Sequence, residues 1–523
     1  MLELFPPGEG VTLPQGAGAI DVTSLSVDSR GAKPGALFAA LKGVNADGAQ
    51  FAPQAVQNGA AVVLAERELE VKPAVCVVAK DARKAFAIAA ARFHGEPSRA
   101  FKLLGVTGTN GKTTTTYLIE QMAAALGERA GVIGTVEQRW PGHMKAASHT
   151  TPESHELQEM LSAMAKARVD VAAIEVSSHA LAQERVAGCV FAGAAFTNLT
   201  RDHLDYHRTL DAYFDAKARL FRELLPKSAP AVLNLDDLRT EHLAHELAER
   251  GHRVIGFTLR GTRPPRGASL LAGEGLVCSL TGLRFHLRTE RAKQHVGAPD
   301  APSERFEIES PLIGAHNAEN LLTALGLLAG GGLPLNLLAR VAKDAKGAPG
   351  RLERVMDPHG RIVLVDYAHS DDALGRVLDA IVRAGGPGTR TICVFGCGGD
   401  RDKGKRTLMG EAAGRRAQLC VATSDNPRTE DPKAILGDIE PGLIKAGRAK
   451  LSLADAKAGK DGFVIEPDRR AAIEFALACA RPGDAVLIAG KGHESVQIVG
   501  AEKRPFDDRA EAAQALVRLG GGK

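Results

Sequence analysis

Apolar runs, each followed by a polar loop and then by an amphipathic stretch, recur along most of the chain. This alternation is typical of a mostly parallel sheet covered by helices, and it is clearest from Phe101 onward. The pattern predicts five central strands, at Leu103–Thr107, Val171–Val176, Ala192–Thr197, Ala231–Leu235 and Val254–Phe257.

The last third of the chain repeats the pattern and concentrates polar loops after its strands. The predicted strands are Ile362–Val365, Thr391–Phe395, Leu419–Thr423 and Ala485–Ala489. Each one leads into a polar loop, at 366–369, 396–402, 424–428 and 490–494 respectively. Ligands of open α/β sheets bind beyond the carboxyl ends of the strands, so these loops predict a ligand site.

The predicted fold class is α/β with three domains, because 523 residues exceed what one hydrophobic core organises. Residues 1–97 form a smaller α/β domain, 98–346 a central mononucleotide-binding parallel sheet, and 347–523 a Rossmann-like sheet. In the first domain we expect strands Ala36–Leu41, Ala60–Leu64 and Ala74–Val78, the helix Ala82–Phe93 and a linker at Gly95–Ser98.

Three further segments have their own patterns. Arg260–Arg305 predicts a β-hairpin region with a flexible loop at Ala298–Ser303. Leu321–Ala342 is apolar but broken by glycine and proline, which favours two core helices over a membrane span. The segment 445–461 is rich in Ala, Lys and Gly and is expected to be a surface insertion.

Composition narrows the class of protein. The net charge is only +4 and no long basic run occurs, so nucleic acid is not an expected partner. The seven cysteines lack the paired spacings of zinc sites or disulfide frameworks, which favours reduced thiols. The N-terminus lacks the order of a signal peptide. We therefore expect a cytoplasmic protein without membrane insertion, most simply a monomer.

The run Gly108-Thr109-Asn110-Gly111-Lys112-Thr113-Thr114 lies between a strand and the helical pattern Thr115–Leu126. This is the context of a phosphate-binding loop, in which backbone N–H groups and the helix N-terminus hold phosphates. Lys112 would reach the terminal phosphates of a bound nucleotide and Thr113 would hold magnesium. The strict pattern fails, since Val106 stands five positions before Gly111.

Lys217 has apolar neighbours three and four positions away on a predicted helix Asp211–Leu224, namely Tyr213, Phe214, Leu220 and Phe221. Burial would lower the pKa of its amine and leave a neutral nucleophile able to take up carbon dioxide. The alternative is a lysine that extends its charged head into water.

Two further side chains follow central strands. Glu175 ends an apolar strand, where a buried carboxylate without a partner is costly and a magnesium ion would offset that cost. The alternative is a surface glutamate. His203 lies in a polar loop, where either a metal ligand or a solvated histidine is expected.

Taken together, these blocks resemble the Mur ligase family, whose phosphate loop reads GTNGKTT as here. The resemblance covers essentially the whole chain, and its further motifs are Glu175–His179, Thr197–Asp205, Asn317 with Asn320, Gly350–Glu353, Asp366–His369 and Gly398–Arg401. It implies ATP as co-substrate and Mg²⁺ as cofactor, with Glu175, His203 and a carbamylated Lys217 as metal ligands.

The resemblance also implies which residues contact each substrate. Nucleotide contacts would include Asn317, Arg351 and Asp366. Contacts to a UDP-linked muramoyl dipeptide would be Val27, Ser29, Ala46, Thr150, Thr151, Ser177, Gln183 and Arg185. In the first domain Val44-Asn45 stands where the family has His-Gln.

The run Asp425-Asn426-Pro427-Arg428 is most similar to the Mur ligases that add meso-diaminopimelate. Arg428 would bind the extra carboxylate that distinguishes this diamino acid from lysine, with two parallel hydrogen bonds. The resemblance adds Arg401, Gly492 and Glu494 as contacts. On residue pattern alone, a structural Asx-Pro turn is the favoured interpretation of Asp425–Arg428.

The implied reaction joins the diamino acid to the D-glutamate γ-carboxylate of the UDP-linked dipeptide through an acyl phosphate. Three alternatives remain open from the sequence. They are a lysine-adding Mur ligase, a ligase like folylpolyglutamate synthetase, and a non-enzymatic protein that uses the loop as a nucleotide switch.

Overall fold

The computed structural model describes residues 1–7, 10–43, 46–292 and 303–520. Residues 44 and 45 and most of the predicted flexible loop, 298–302, lie outside the described residues. The chain consists of two compact units. Unit 1 comprises Met1–Ala272, Arg288–Arg305 and Glu319–Val341, and unit 2 comprises Gly273–Leu287, Phe306–Ala318 and Ala342–Lys523.

The N-terminal segment of unit 1 forms a small, mostly parallel sheet. Its strands are β1 (Val11–Thr12), β2 (Ser24–Ser26), β3 (Ala36–Ala39), β4 (Val62–Ala65) and β5 (Val75–Ala79), with helices α1 (Ala52–Gln57) and α2 (Ala82–Phe93). The strand order is β1-β5-β4-β3-β2, and only β1 is antiparallel. The three predicted strands and the predicted helix are confirmed.

The segment predicted as a linker, Gly95–Ser98, ends in two buried residues. Pro97–Arg99 forms a short 3₁₀ helix in which Pro97 and Ser98 are buried. The hydroxyl of Ser98 accepts a hydrogen bond from the backbone N–H of Val190, 3.0 Å away. The chain therefore leaves the first sheet through a packed turn and enters the central sheet at Lys102.

The middle of the chain supplies the strands β6 (Lys102–Thr107), β7 (Ala130–Ile133), β8 (Glu137–Trp140), β9 (His143–Ala146), β10 (Val171–Glu175), β11 (Gly193–Phe196), β12 (Ala231–Asn234), β13 (Val254–Thr258), β14 (Ser269–Ser279), β15 (Gly282–Glu290) and β16 (Arg305–Ser310). The sheet order is β16-β15-β14-β13-β12-β11-β6-β10-β7-β8-β9. The seven neighbouring strands β14-β13-β12-β11-β6-β10-β7 pair in parallel. All five predicted central strands are confirmed, with ends shifted by one residue at most.

The helices of this segment are α3 (Lys112–Ala125), α4 (Ser154–Lys166), α5 (Ser178–Ala182), α6 (Leu204–His207), α7 (Leu210–Arg219), α8 (Leu238–Glu249), α9 (Ala315–Gly330) and α10 (Leu335–Val341). The two core helices predicted over Leu321–Ala342 are confirmed. Helix α7 continues into a wider π turn, Leu220–Leu224, within the range predicted as one helix. Within the described ranges, no helix has both the length and the apolarity to cross a membrane.

The C-terminal segment forms the core of unit 2. Its strands are β17 (Glu353–Val355), β18 (Ile362–Asp366), β19 (Thr391–Phe395), β20 (Leu419–Ala422), β21 (Gly462–Ile465), β22 (Ala485–Ala489), β23 (Val496–Val499) and β24 (Glu502–Pro505), with helices α11 (Asp371–Gly385), α12 (Gly404–Gly414), α13 (Pro432–Lys445), α14 (Leu453–Lys457), α15 (Arg469–Cys479) and α16 (Asp508–Gly520). The main sheet has the order β17-β18-β22-β19-β20-β21, parallel except for β17. Strands β23 and β24 form a separate antiparallel hairpin.

The segment 445–461, predicted as a surface insertion, is mostly exposed but contains a short helix with one buried residue. Helix α14 lies within it and Ala456 is fully buried in a core cluster of unit 2. The segment leads directly into β21, which pairs with β20 and was absent from the predicted strands. Most of the segment is exposed, and Ala456 attaches it to the core.

Candidate active site

The loop Gly108–Thr114 follows the central strand β6 at the carboxyl edge of the parallel sheet. Its neighbours are β10 and β11, with Val106 in register with Glu175 and Thr107 with Phe196. The ends of three parallel strands thus meet at one edge, as a ligand crevice requires.

The loop is braced by the segment that follows β11. The N–H of Thr109 donates to the carbonyl of Asn198 at 2.8 Å, and the hydroxyl of Thr197 donates to the carbonyl of Asn110 at 2.6 Å. Gly108 has φ +138°, and a Cβ there would lie 2.0 Å from Thr197 Oγ1. The loop conformation therefore requires glycine at this position.

Helix α3 begins at Lys112, three residues before the predicted start. Gly111 occupies the N-cap with φ 87°, a conformation that favours glycine. The Nζ of Lys112 donates to the carbonyl oxygens of Gly108 and Thr109, each at 2.8 Å. The ammonium group is therefore held at the mouth of the loop, beside the helix N-terminus, where an anion would be stabilised.

The prediction that Lys217 is buried is confirmed, since only 1% of the residue is exposed. Its Nζ donates to the carbonyl of Gly108 at 2.8 Å and lies 4.6 Å from the ring centroid of Tyr213. Burial lowers the pKa of Lys217 well below its usual value, and the nearby charge of Lys112 lowers it further, while Asp202 opposes this shift. The solvent-exposed alternative is excluded, and carbamylation stays a prediction.

Glu175 is fully buried, which excludes the surface-glutamate alternative. Its carboxylate also has partners within the protein. Oε2 accepts from the hydroxyls of Thr113 at 3.0 Å and Thr135 at 3.1 Å, and Oε1 accepts from the N–H of Thr135 at 2.7 Å. These donors are neutral, so they satisfy the oxygens without placing a positive charge beside the carboxylate.

The side chains of Thr113 and Glu175 fit a hard divalent cation, since both present oxygen atoms at one point. His203 lies elsewhere on the same edge, about half exposed, with Nε2 3.5 Å from Asp202 Oδ2 and its ring 5.0 Å from that of His179. In the described part of the chain, no group of three or more His, Cys, Asp or Glu residues could hold a metal ion. A cation here would therefore draw its other ligands from hydroxyls, substrate oxygens or a modified lysine.

The residues predicted to contact the UDP-linked dipeptide beside this edge lie together. The Thr151 hydroxyl donates to the carbonyl of Glu175 at 2.7 Å and accepts from the N–H of Ser177 at 3.1 Å. Arg185 donates to the carbonyl of Thr151 at 2.8 Å and to the side-chain oxygen of Gln183 at 2.8 Å. The buried Thr151 side chain thus faces inward, whereas Arg185 and Gln183 form a polar surface.

The three candidates of the first domain are less closely connected. The Ser29 hydroxyl donates to Gln54 Oε1 at 2.7 Å, Val27 packs against the core of this sheet, and Ala46 is exposed. The neighbouring pair Val44-Asn45, which departs from the family, lies outside the described residues.

Of the further nucleotide candidates, Arg351 and Asp366 lie together in unit 2. Asp366 is buried and accepts from the N–H groups of Leu352 at 2.7 Å and Ala368 at 2.8 Å. Burial raises the pKa of Asp366, and the charge of Arg351 opposes that shift. Asn317 lies in α9, where its Nδ2 donates to the carbonyl of Ile313 at 2.9 Å.

The loop Asp425–Arg428 follows β20 and packs on the loop that follows β19. The N–H of Gly399 donates to the carbonyl of Asn426 at 2.9 Å, and Arg428 Nη1 donates to the carbonyl of Gly399 at 2.6 Å. A Cβ on Gly399 would lie 1.9 Å from the carbonyl oxygen of Pro427, so this approach requires glycine. Arg401, on the same loop as Gly399, is exposed.

The loop that follows β22 completes this group. Asn426 Nδ2 donates to Glu494 Oε2 at 2.9 Å, and Gly492 packs against Tyr367 with φ 54°. Four loops at the carboxyl edge of the unit 2 sheet therefore lie together, as the strand pattern predicts.

Two residues of these clusters were missed by the sequence reasoning. Thr135 supplies two of the donors to Glu175, and its hydroxyl lies 3.1 Å from that of Thr150. Lys491 is fully buried beneath Asn426 and Glu494. Thr135 follows β7, which is too short to predict from its pattern, whereas a lysine directly after an apolar strand and glycine could have been noticed as a buried charge.

Comparison with known proteins extends over the whole chain. Residues 21–95 match the Mur ligase family catalytic domain, 106–328 the Mur ligase middle domain, and 350–492 the Mur ligase glutamate ligase domain. UDP-N-acetylmuramoyl-L-alanyl-D-glutamate–2,6-diaminopimelate ligase of Synechococcus elongatus is 44% identical over 510 residues, which is 95% of this chain and 94% of that protein.

Solved structures agree with this result. A structure of UDP-N-acetylmuramoyl-L-alanyl-D-glutamate–2,6-diaminopimelate ligase is 35% identical, covers 95% of both chains and superimposes with a TM-score of 0.69. Folylpolyglutamate synthase of Mycobacterium tuberculosis, at 18% identity, covers 84% of this chain and 95% of that chain with a TM-score of 0.55, and so shares the fold. The resemblance read from the motifs is confirmed: the chain belongs to the Mur ligase family.

Proposed function

We propose that this protein is an ATP-dependent ligase that joins meso-2,6-diaminopimelate to the D-glutamate γ-carboxylate of UDP-N-acetylmuramoyl-L-alanyl-D-glutamate. The observation that carries the proposal is the convergence of Lys112 and Lys217 on Gly108, with Glu175 held against Thr113 in the same loop. Two amines and one buried carboxylate around a phosphate loop serve phosphoryl transfer better than nucleotide binding alone. The similarity to diaminopimelate ligases supports the choice of substrates.

In the first proposed step, an oxygen of the γ-carboxylate attacks the γ-phosphorus of ATP, and the bond from that phosphorus to the bridging oxygen breaks. An acyl phosphate and ADP result. Lys112, already at the mouth of the loop, would rotate from the carbonyls of Gly108 and Thr109 onto the phosphates and offset their charge. The loop N–H groups would orient the same phosphates.

In the second step, an amino group of diaminopimelate attacks the acyl carbon, the carbon–oxygen bond to phosphate breaks, and the nitrogen loses a proton. Asp425, Asn426, Arg428 and Glu494 would orient this diamino acid, together with Arg401, Pro427 and Gly492. Arg428 would face the carboxylate that lysine lacks, since a guanidinium binds a carboxylate through two parallel bonds.

We further infer that Mg²⁺ is the cofactor, held by Thr113, Glu175 and His203 together with Lys217 in carbamylated form. When bound, Mg²⁺ would offset the negative charge on the transferring phosphoryl group. The burial and lowered pKa of Lys217 support a neutral amine that can react with carbon dioxide to form the carbamate.

The remaining proposals concern organisation and setting. Three domains at 1–97, 98–346 and 347–523 are supported by the three matched family segments. Thr150, Ser177, Gln183 and Arg185 would contact the UDP-linked dipeptide, with Val27, Ser29 and Ala46 at its uridine end and Thr151 behind them. Asn317, Arg351 and Asp366 would contact the nucleotide. A cytoplasmic monomer that makes a cell-wall precursor is consistent with these features.

The test is phosphate release by the purified protein with ATP, magnesium, the UDP-linked dipeptide and meso-diaminopimelate. We expect release at more than about ten times the background rate only when all of these are present. Each substrate is then omitted in turn. Release that does not depend on the dipeptide or on the diamino acid would contradict the ligase proposal and favour a nucleotide switch.

A further inference from the structure

Lys491 is a charged residue in the core of unit 2 to which the proposed reaction gives no role. It follows strand β22 and Gly490, and its side chain is fully buried. Its Nζ donates to Asn426 Oδ1 at 3.2 Å, to Glu494 Oε2 at 3.1 Å and to the carbonyl of Val496 at 2.6 Å. An ammonium group has three hydrogens, so these acceptors satisfy it completely.

The Asn426 side chain is fixed at both ends through this lysine. Its Oδ1 accepts from Lys491 and from the N–H of Ile498 at 3.0 Å, while its Nδ2 donates to Glu494 at 2.9 Å. This arrangement assigns the orientation of the amide, because only an oxygen can face two donors. Without Lys491 one acceptor contact disappears, and Glu494 loses its cationic partner.

Asp425 adds a second carboxylate beside the same ammonium group. Its Oδ1 lies 3.9 Å from Lys491 Nζ and, in the part of the chain the structure describes, has no hydrogen-bond partner although it is buried. Burial raises the pKa of Asp425, whereas the charges of Arg469 and Lys491 oppose that shift. Lys491 thus lies between two carboxylates, one of which has an oxygen left to accept a hydrogen bond.

The hairpin of β23 and β24 is part of the same structure. Gln497 Nε2 donates to the carbonyl of Asp425 at 2.8 Å, and the N–H of Arg428 donates to the carbonyl of Ile498 at 3.0 Å. Lys491 is bonded to the first residue of this hairpin, Val496, and to the middle of the loop 425–428. One side chain therefore connects the loop, the hairpin and Glu494.

We propose that Lys491 is a positioning residue for the third substrate, holding Asn426 and Glu494 in one orientation so that they, with the neighbouring carboxylate of Asp425, receive an ammonium group of the diamino acid. This inference rests on the proposed function and deepens it. Lys491 itself has no donor left for the substrate, so it acts through its neighbours. Its loss should affect one substrate and leave the other two unaffected.

The direct test is Lys491→Met, which keeps an unbranched side chain of similar length and removes the charge. Steady-state phosphate release gives an apparent KM for each of the three substrates. We expect the KM for diaminopimelate to rise at least about tenfold, since one bond to a charged group is of that order. The KM for ATP and for the UDP-linked dipeptide should change less than about twofold, and Lys491→Arg should recover part of the loss.

Lys450, exposed and paired with Glu440, provides the matched control Lys450→Met, which should behave as wild type. An unchanged KM for diaminopimelate in Lys491→Met would overturn the inference, as would an equal rise in all three KM values. Wild-type protein that releases no phosphate with all three substrates would contradict the proposed function instead, so the two failures are distinguishable.

A double-mutant cycle with Glu494→Gln tests the coupling between Lys491 and Glu494. If Lys491→Met folds poorly, the selective rise in the KM for diaminopimelate is measured on Lys491→Arg, which keeps the buried charge. The double variant removes both charges, so neither position is left with an unpaired charge. Because Lys491 acts partly through Glu494, its substitution should raise the KM for diaminopimelate less in the Glu494→Gln background than in the wild-type one. Fully additive effects would contradict the positioning role.

Discussion

Lys112 and Lys217 donate hydrogen bonds from their Nζ atoms to one carbonyl oxygen, that of Gly108, each at 2.8 Å. The two residues are 105 positions apart in the chain, yet the phosphate loop brings their amines to the same atom. Burial lowers the pKa of Lys217, and repulsion from the neighbouring ammonium group of Lys112 lowers it further, so Lys217 favours its neutral form. The loop thus combines one cation for phosphate with one amine prepared for modification.

The first prediction concerns Lys217→Ala. We expect activity to fall by at least about a hundredfold, because removal of one group that stabilises charge in the transition state has an effect of that size. Acetate or formate added at high concentration should restore part of the activity, because a small carboxylate can occupy the space left by the carbamate. Phosphate release with and without the added carboxylate measures both effects.

The exposed Lys227 provides the control for that experiment. Lys227→Ala should keep wild-type activity and should not respond to added carboxylates. Wild-type activity in Lys217→Ala would refute the carbamate, and loss of activity without any rescue would favour a purely structural role for the buried amine.

The second prediction concerns Thr135, whose hydroxyl donates to the buried Glu175 carboxylate. Thr135→Val preserves the shape and removes this donor, so it should lower the free energy of unfolding by about 1–3 kcal/mol. Thr135→Ser retains the hydroxyl and should cost less. Chemical denaturation of the three proteins measures the difference. Equal stability of the Val and wild-type proteins would show that the bond contributes nothing.

The third prediction concerns pH and Glu319 in α9. Burial raises the pKa of Glu319 from 4.5 to about 7, with contributions from Asp236 and Asp237 that Arg260 opposes. Between these two pH values the folded chain keeps a proton that the unfolded chain has lost, so stability falls as the pH rises through this range. The loss is at most about 3 kcal/mol.

Glu319→Gln cannot titrate and should lack this part of the pH dependence. The unfolding temperatures of the two proteins, measured from pH 4.5 to 8, should therefore diverge as the pH rises, with the Gln protein more stable at the upper end. Parallel curves would contradict the raised pKa of Glu319.

The fourth prediction concerns Arg469 and Asp508, a buried ion pair in unit 2 with contacts of 2.8 and 2.6 Å. Arg469→Met leaves Asp508 as an unpaired buried charge and should destabilise the protein by about 3–5 kcal/mol. Arg469→Met combined with Asp508→Leu should regain most of that loss. Urea denaturation tests this, and a double variant as unstable as the single one would contradict the explanation.

The sequence pattern predicted the parts of the site that depend on local periodicity. The burial of Lys217 followed from apolar neighbours at helical spacing, and the place of the Gly108–Thr114 loop from the apolar strand before it. The start of α3 was set too late, because Thr113–Thr116 carry no apolar period although all four are buried.

What the pattern missed depends on pairing between distant segments. Thr135 reaches Glu175 across 40 positions, and Arg469 reaches Asp508 across 39. Neither pair has a local signature, because each joins two segments that are far apart in the chain. Lys491 differs in part, because its position after an apolar strand and Gly490 is a local signal of burial, but its partner Asn426 is 65 positions away.

The central claim, that this ligase selects meso-diaminopimelate, is tested most directly by competition. The protein is given ATP, magnesium, the UDP-linked dipeptide and equal concentrations of meso-diaminopimelate and L-lysine, and mass spectrometry identifies the product. We expect the diaminopimelate tripeptide to exceed the lysine product by about 10⁴-fold, because lysine would leave Arg428 without its carboxylate partner. Equal amounts of the two products, or no tripeptide at all, would contradict the account.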